Sequence, residues 1–155
     1  MKKIIPLTAP ILFLAFGFFL IGQALPKSLM DQWEDVESEI KKGLPKTAIE
    51  KIDPLIKQAL KDGSHAVAIR AICQKINLEG AIQGNKAEEK ITRLEEEITK
   101  APEALKPLMR AVLSNWYWQY FQQNRWRFAR RTRTAEAPGE DITTWDLSRI
   151  LSEID

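Results

Sequence analysis

The chain carries very little of what nucleophilic or metal-ion chemistry requires: one cysteine and one histidine in 155 residues. A single thiol, Cys73, excludes an intramolecular disulfide, a CxxC redox pair and a cysteine-rich metal site. His65 and Cys73 lie eight residues apart on one predicted helix. That spacing separates them by about 12 Å along the axis, too far for a nucleophile–base pair within one molecule. No GxxxxGK loop, GxSxG elbow or HExxH pair occurs. His65 reads as a partly exposed helix-start residue. Cys73, inside the apolar pattern Ile69, Ile72, Cys73, Ile76, reads as a small buried hydrophobe. No catalytic residue, cofactor site or metal site is expected, and the chain is not expected to be an enzyme.

An excess of charge is missing as well. The chain has 23 Lys and Arg against 21 Asp and Glu, and two of the lysines, Lys2 and Lys3, belong to an expected export signal. Behind them Ile11 to Ile21 is an unbroken apolar run, and Gly22 and Ala24 flank Gln23 in the small-residue pattern of a cleavage site after Ala24. The run is short of the ~20 residues that span a bilayer, so a cleaved signal over residues 1–24 is expected, with an uncleaved anchor as the alternative. The expected location is the periplasm or cell envelope, and contact with membrane only through an uncleaved signal. The balanced remainder gives no electrostatic case for nucleic acid.

What is present is helical pattern. Leu29, Trp33, Val36 and Ile40 follow a helical spacing, with Ser28 and Asp31 as a cap and Gly43 as a stop. Pro45 opens a second helix that ends at Gly63, and Pro54 inside it predicts a kink or a break. Ala68, Ile69, Ile72, Cys73, Ile76 and Ile82 point a third helix, about 64–83, toward a core. After the Gly84-Asn85 turn, a fourth helix over 86–101 has the thin stripe Ile91, Leu94 and Ile98. Its runs Glu88-Glu89 and Glu95-Glu96-Glu97 read as a solvated, salt-bridged face. Pro102 is expected to start a fifth helix.

The connections are short, and the phrases at Gly43 and Gly84 recur at a spacing of about 41 residues. An all-α fold of antiparallel helical hairpins is expected over residues 25–128, a tetratricopeptide-like short solenoid or bundle. Residues 129–142 read as a polar loop with a Pro138-Gly139 turn. Thr143 or Thr144 is expected to cap a last helix over 143–155, with Trp145, Leu147, Ile150, Leu151 and Ile154 on its apolar stripe. That stripe runs to Asp155 without a stop signal, and a truncated chain is expected.

The densest feature is Trp116 to Phe128, where seven of thirteen residues are aromatic against 8% in the whole chain. Rings of this size bury roughly 150–250 Å² each. Leu105, Met109, Leu113, Trp116, Tyr117, Tyr120 and Phe121 share one helical face and read as core. Trp118 lies roughly opposite, beside Ala111, Ser114 and Arg125. Trp118, Arg125, Trp126, Phe128 and Trp145 are therefore the candidate interface residues. The interleaved Arg125, Arg127, Arg130, Arg131 and Arg133 read as stacking partners of aromatic rings within or between domains.

Several of these segments resemble a known family. Trp33 followed by Gly43-Leu44-Pro45-Lys46-Thr47-Ala48-Ile49-Glu50 is similar to the N-terminal helical region of large exported bacterial alpha-2-macroglobulin-like proteins. So are Trp116-Tyr117-Trp118-Gln119-Tyr120-Phe121, Asn124-Arg125-Trp126-Arg127-Phe128, and Thr144-Trp145-Asp146-Leu147. The resemblance spans about Leu29 to Asp155. It implies an endopeptidase-inhibitor protein with many β-sandwich domains, some members of which trap proteases through a bait segment and a Cys–Gln thioester. Cys73 is followed by Gln74-Lys75-Ile76, and Ile76 stands where the thioester needs its Gln, so no residue of that motif carries over. The resemblance thus implies a non-catalytic module whose partners are the remaining domains of a longer chain, with proteases met only through the full-length protein. A self-contained periplasmic helical-repeat adaptor for another envelope protein is the alternative expectation.

Overall fold

The computed structural model describes residues 27–131 and 139–155. The expected signal, its cleavage after Ala24 and the alternative anchor lie outside the described residues, as does half of the expected polar loop. Among the described residues the fold is all-helical, with no strand. Helix α1 spans Leu29–Lys41, α2 Pro45–Lys61, α3 His65–Ile82, α4 Ala87–Lys100, α5 Lys106–Gln123, α6 Arg125–Arg130 and α7 Leu147–Ile154, with a 3₁₀ turn at Ile142–Thr144. Among these residues no helix is long and apolar enough to cross a membrane.

Local chemistry sets the first boundaries. The Ser28 hydroxyl accepts from the Asp31 N–H at 3.1 Å, and the Asp31 carboxylate accepts from the Ser28 N–H at 3.2 Å, a reciprocal capping box. Helix α1 closes through Gly43 at φ +73°, which lets Leu44 N–H reach back to the Glu39 carbonyl at 3.0 Å. The same closure ends α2, where Gly63 sits at φ +68° and Ser64 N–H bonds the Ala59 carbonyl at 2.8 Å. A side chain at either glycine would strain this left-handed conformation.

Pro54 does not divide α2, which runs unbroken from Pro45 to Lys61. The ring is exposed, and so is Glu50, whose carbonyl loses its helical partner. Water can serve that carbonyl, so the helix continues. The start of α5 is also later than Pro102 suggests. Residues 102–105 form a turn, with Leu105 N–H on the Pro102 carbonyl at 2.9 Å, and the helix begins at Lys106 with Pro107 in its first turn.

Three apolar clusters follow one another along the chain. Trp33, Val36, Ala48, Ile52, Leu55, Ala71 and Leu78 close α1, α2 and α3. Ala59, Ala68, Ile69, Ile72, Ile76, Leu94, Ile98, Leu105 and Met109 join α2 and α3 to α4 and the start of α5. Helix α3 is therefore buried on two sides. Ala71 and Leu78 serve the first cluster, while Ile69, Ile72 and Ile76 serve the second, and Cys73 is half-buried against the second. Ile82, expected in the core, is exposed at the last residue of α3, beyond the reach of its neighbours. Removing a side chain such as Leu55, fully buried in the first cluster, would cost about 2–5 kcal/mol.

The third cluster positions the aromatic residues. It joins Ile91 of α4, Tyr117 and Tyr120 of α5, Phe128 of α6, Ile142, Trp145 and Ile150 of α7. The end of the chain differs from expectation here. Asp141 caps the 3₁₀ turn by accepting from Thr143 N–H at 2.8 Å, and Asp146, not a threonine, caps α7 by accepting from Arg149 N–H at 2.8 Å. Trp145 lies between these two elements and points inward. Helix α7 packs on α5, with Ser114 Oγ donating to the Ile154 carbonyl at 2.5 Å. Leu147 and Leu151, expected on the buried stripe, remain partly exposed because α7 meets its neighbours on the Ile150 side.

Candidate functional site

Asn124 decides how the aromatic stretch is arranged. At φ −116°, ψ 18° it interrupts the helix, and its side-chain amide donates to the Tyr120 carbonyl at 2.9 Å, satisfying an end group of α5. The chain resumes as α6 at Arg125. Phe128 thereby reaches the rings of Phe121, at 5.7 Å between centroids, and Tyr120, at 6.2 Å. Both separations fall in the favourable range for tilted and edge-on aromatic pairs.

The inner side of this arrangement carries a network of hydrogen bonds, in which the buried Arg127 Nε and Arg149 Nε alone lack a partner among the described residues. Tyr117 donates its hydroxyl to Glu95, and Tyr120 donates to Glu88 at 2.8 Å. Arg127 donates to the Tyr120 hydroxyl and lies over the Tyr120 and Phe128 rings at 5.2 and 5.6 Å. Trp145 stacks obliquely on Tyr117 at 5.4 Å, and its indole N–H bonds the Gly139 carbonyl at 2.7 Å. Arg131 caps the Trp145 carbonyl at 2.7 Å, and Arg149 lies over the Trp145 ring at 5.1 Å. Burial, reinforced by Glu95, pushes the Tyr117 phenol well above its ordinary range. Burial also raises Tyr120, with Arg127 opposing and Glu88 adding. These phenols stay protonated and act as structural donors.

The outer side is different. Trp118 is 44% exposed and Trp126 65% exposed, and Arg125 is exposed beside them. Trp118 rests on Phe121 at 5.7 Å, so its indole is backed by the interior aromatic chain. Three of the five candidate interface residues thus lie on the surface of α5 and α6. The other two do not: Phe128 is 1% exposed and Trp145 2% exposed, each enclosed by the third cluster.

Two residues important here were not singled out in the acidic runs of α4. Glu88 and Glu95 lie seven positions apart and take the tyrosine hydroxyls. Only their neighbours behave as a solvated face, with Glu89 paired to Lys86 at 2.9 Å and Glu97 to Lys100 at 3.6 Å. The signal was available in the spacing, since Glu88 and Glu95 flank Ile91 and Leu94 on the inward edge.

A cleft of about 640 Å³ separates α4, α5 and α7, lined by Glu95, Arg110, Tyr117, Trp145, Arg149 and Glu153 among others. Of its charged groups, Arg149 pairs with Glu153 at 2.7 Å and Glu95 accepts from Tyr117. His65 is exposed at the start of α3, and burial pushes the Cys73 thiol up, away from nucleophilic reactivity. Among the described residues no three His, Cys, Asp or Glu side chains are grouped as metal ligands. No family model, curated protein or solved structure matches the chain.

Proposed function

We propose that the protein is the non-catalytic N-terminal helical module of an exported bacterial alpha-2-macroglobulin-like protein, an endopeptidase inhibitor whose bait and thioester regions lie outside this chain. The observation that carries the reading is the pair of exposed tryptophans, Trp118 and Trp126, on a framework of buried aromatics. Exposed indoles, one of them (Trp118) resting on Phe121, are suited to docking against another protein domain. The resemblance of the segments at Trp33, Gly43, Trp116 and Thr144 supplies the identity of that partner: the β-sandwich domains of the same protein. In this reading the helices are stacked antiparallel hairpins, supported by the packing of each helix chiefly on its chain neighbours. The module holds other domains in place and does no inhibition by itself.

The same neighbour-on-neighbour packing also suits a self-contained periplasmic helical-repeat adaptor that presents the tryptophans to a separate envelope protein. An antibody raised against the purified chain separates the two readings on fractionated source cells. A band far larger than 155 residues can give, in the envelope fraction, is the expected result. A band near the size of this chain in the same fraction would favour the adaptor. A cytoplasmic band would overturn both.

A further inference from the structure

Helix α6 divides its residues sharply. Phe128 is buried, whereas Arg125, Trp126, Ala129 and Arg130 are exposed. At 100° per residue these four fall on one arc of roughly 140°, in the order Arg125, Ala129, Trp126, Arg130. Two guanidinium groups thus flank an indole, and the small Ala129 leaves the space beside that indole open.

The other arginines near this helix have partners. Arg127 bonds the Tyr120 hydroxyl beside Glu88, and Arg131 bonds the Trp145 carbonyl. Elsewhere, many cations pair with carboxylates across and along α1 to α5 and α7, while Lys41, Lys46, Lys57, Lys61, Lys90 and Arg110 form no ion pair among the described residues and have no exposed ring between them and a second arginine. Among the described residues no ion pair includes Arg125 or Arg130. No cation among them lies over the Trp126 ring, although Trp33 and Trp145 each carry one.

We infer that the outer face of α6 docks an acidic segment of a partner protein, in which two carboxylates flank an apolar side chain. The carboxylates would pair with Arg125 and Arg130 in the planar geometry guanidinium groups favour, and the apolar side chain would cover Trp126. Charge complementarity carries the choice of occupant. An anionic membrane surface would also attract two arginines. It needs a broad apolar face to hold a helix, and α6 offers a single indole beside the polar Gln122 and Gln123. The inference rests on the proposed role of the tryptophans as a docking face, and it names the chemistry of what docks.

The test uses the purified full chain with a peptide of alternating Glu and Leu, its Lys–Leu counterpart, and vesicles containing anionic phospholipid. Protection of Trp126 from acrylamide is read in a Trp118→Phe background, where Trp126 is the most exposed tryptophan remaining. The Glu–Leu peptide is expected to protect and the Lys–Leu peptide not. Arg125→Gln with Arg130→Gln is expected to weaken binding at least tenfold, and the double Lys variant, which keeps the charge but loses the planar fork, to fall between that variant and the parent. Equal protection by both peptides, undiminished binding by the Gln variant, or absence of binding would overturn the inference. Protection by vesicles without protection by the Glu–Leu peptide would overturn it in favour of lipid. A large envelope band together with a failed peptide titration would leave the module reading standing and remove only the acidic occupant.

Discussion

The hydroxyl of Tyr120 on α5 donates to Glu88 of α4 at 2.8 Å while it accepts from Arg127 of α6. One phenol therefore ties three helices together, and Tyr117 repeats half of the device with Glu95. These two are the only tyrosines in the chain, so a bulk optical titration reports on them alone. Both phenols are raised above the ordinary value near pH 10, first by burial. A raised value means that the folded state holds the proton longer than the unfolded state. The contribution to stability is full below pH about 10 and is lost as pH rises through the folded-state value. Phenolate absorbance should accordingly appear only together with alkaline unfolding. A phenol ionising near its ordinary pH in the intact fold would contradict the geometry. Tyr120→Phe should lower stability by about 1–2 kcal/mol in urea unfolding.

The two sides of the aromatic stretch should respond in opposite ways to truncation. Trp145→Ala empties a site enclosed by Tyr117, Ile142 and Ile150, and should cost about 3–5 kcal/mol. Trp126→Ala removes an exposed ring and should change stability by no more than about 0.5 kcal/mol. Paired denaturation curves check both. Comparable losses in the two variants would mean that Trp126 is packed.

Asp146 is one of two buried polar side chains among the described residues, and its carboxylate accepts from the Arg149 N–H that opens α7. Asp146→Ala should cost about 1–2 kcal/mol. Because α7 is short and packs chiefly on α5, the loss should be local. Hydrogen exchange should rise at residues 149–154 before it rises in α1 to α3. Uniform acceleration would show that α7 unfolds only with the whole.

Glu39 of α1 accepts from Lys51 of α2 at 2.6 Å and from Lys42 at 3.2 Å. These two lysines, Lys51 foremost, hold its carboxyl below the usual glutamate range. A lowered value stabilises the fold above the ordinary pKa near 4.3, and the effect is lost as pH falls through the folded-state value. Lys51→Met should therefore be less stable than the parent at pH 7, with the difference closing below about pH 3. Urea midpoints at the two pH values give the answer. A difference that persists in acid would point to lost packing of the lysine stem instead.

The boundaries of α1 to α3 were legible because their causes are local. Ser28 with Asp31, Gly43 and Gly63 each act within a turn of where they stand. Trp118 was placed outside by periodicity alone, since α5 is long enough for one stripe to dominate. Trp145 and Phe128 were misplaced because their positions depend on contacts from another part of the chain. Asn124 redirects Phe128 onto Tyr120, and Asp146 starts α7 one residue beyond Trp145. The spacing of Glu88 and Glu95 puts them on the inward edge of α4 but does not say which hydroxyls they accept from, because those partners are 32 and 22 residues away.

The three apolar clusters are strung along the chain in order, and this sets a sequence of events. The first cluster lacks nothing once Leu78 has been supplied, and the second is complete at Met109. The third must wait for Ile150 to return to Ile91. A chain delivered from its N-terminus can thus mature by accretion, each finished layer templating the next, with little searching between distant partners. The aromatic residues around Tyr117 are the last to find shelter. Until α7 arrives they form an open apolar surface among the described residues, where a chaperone or a companion domain would find its opening.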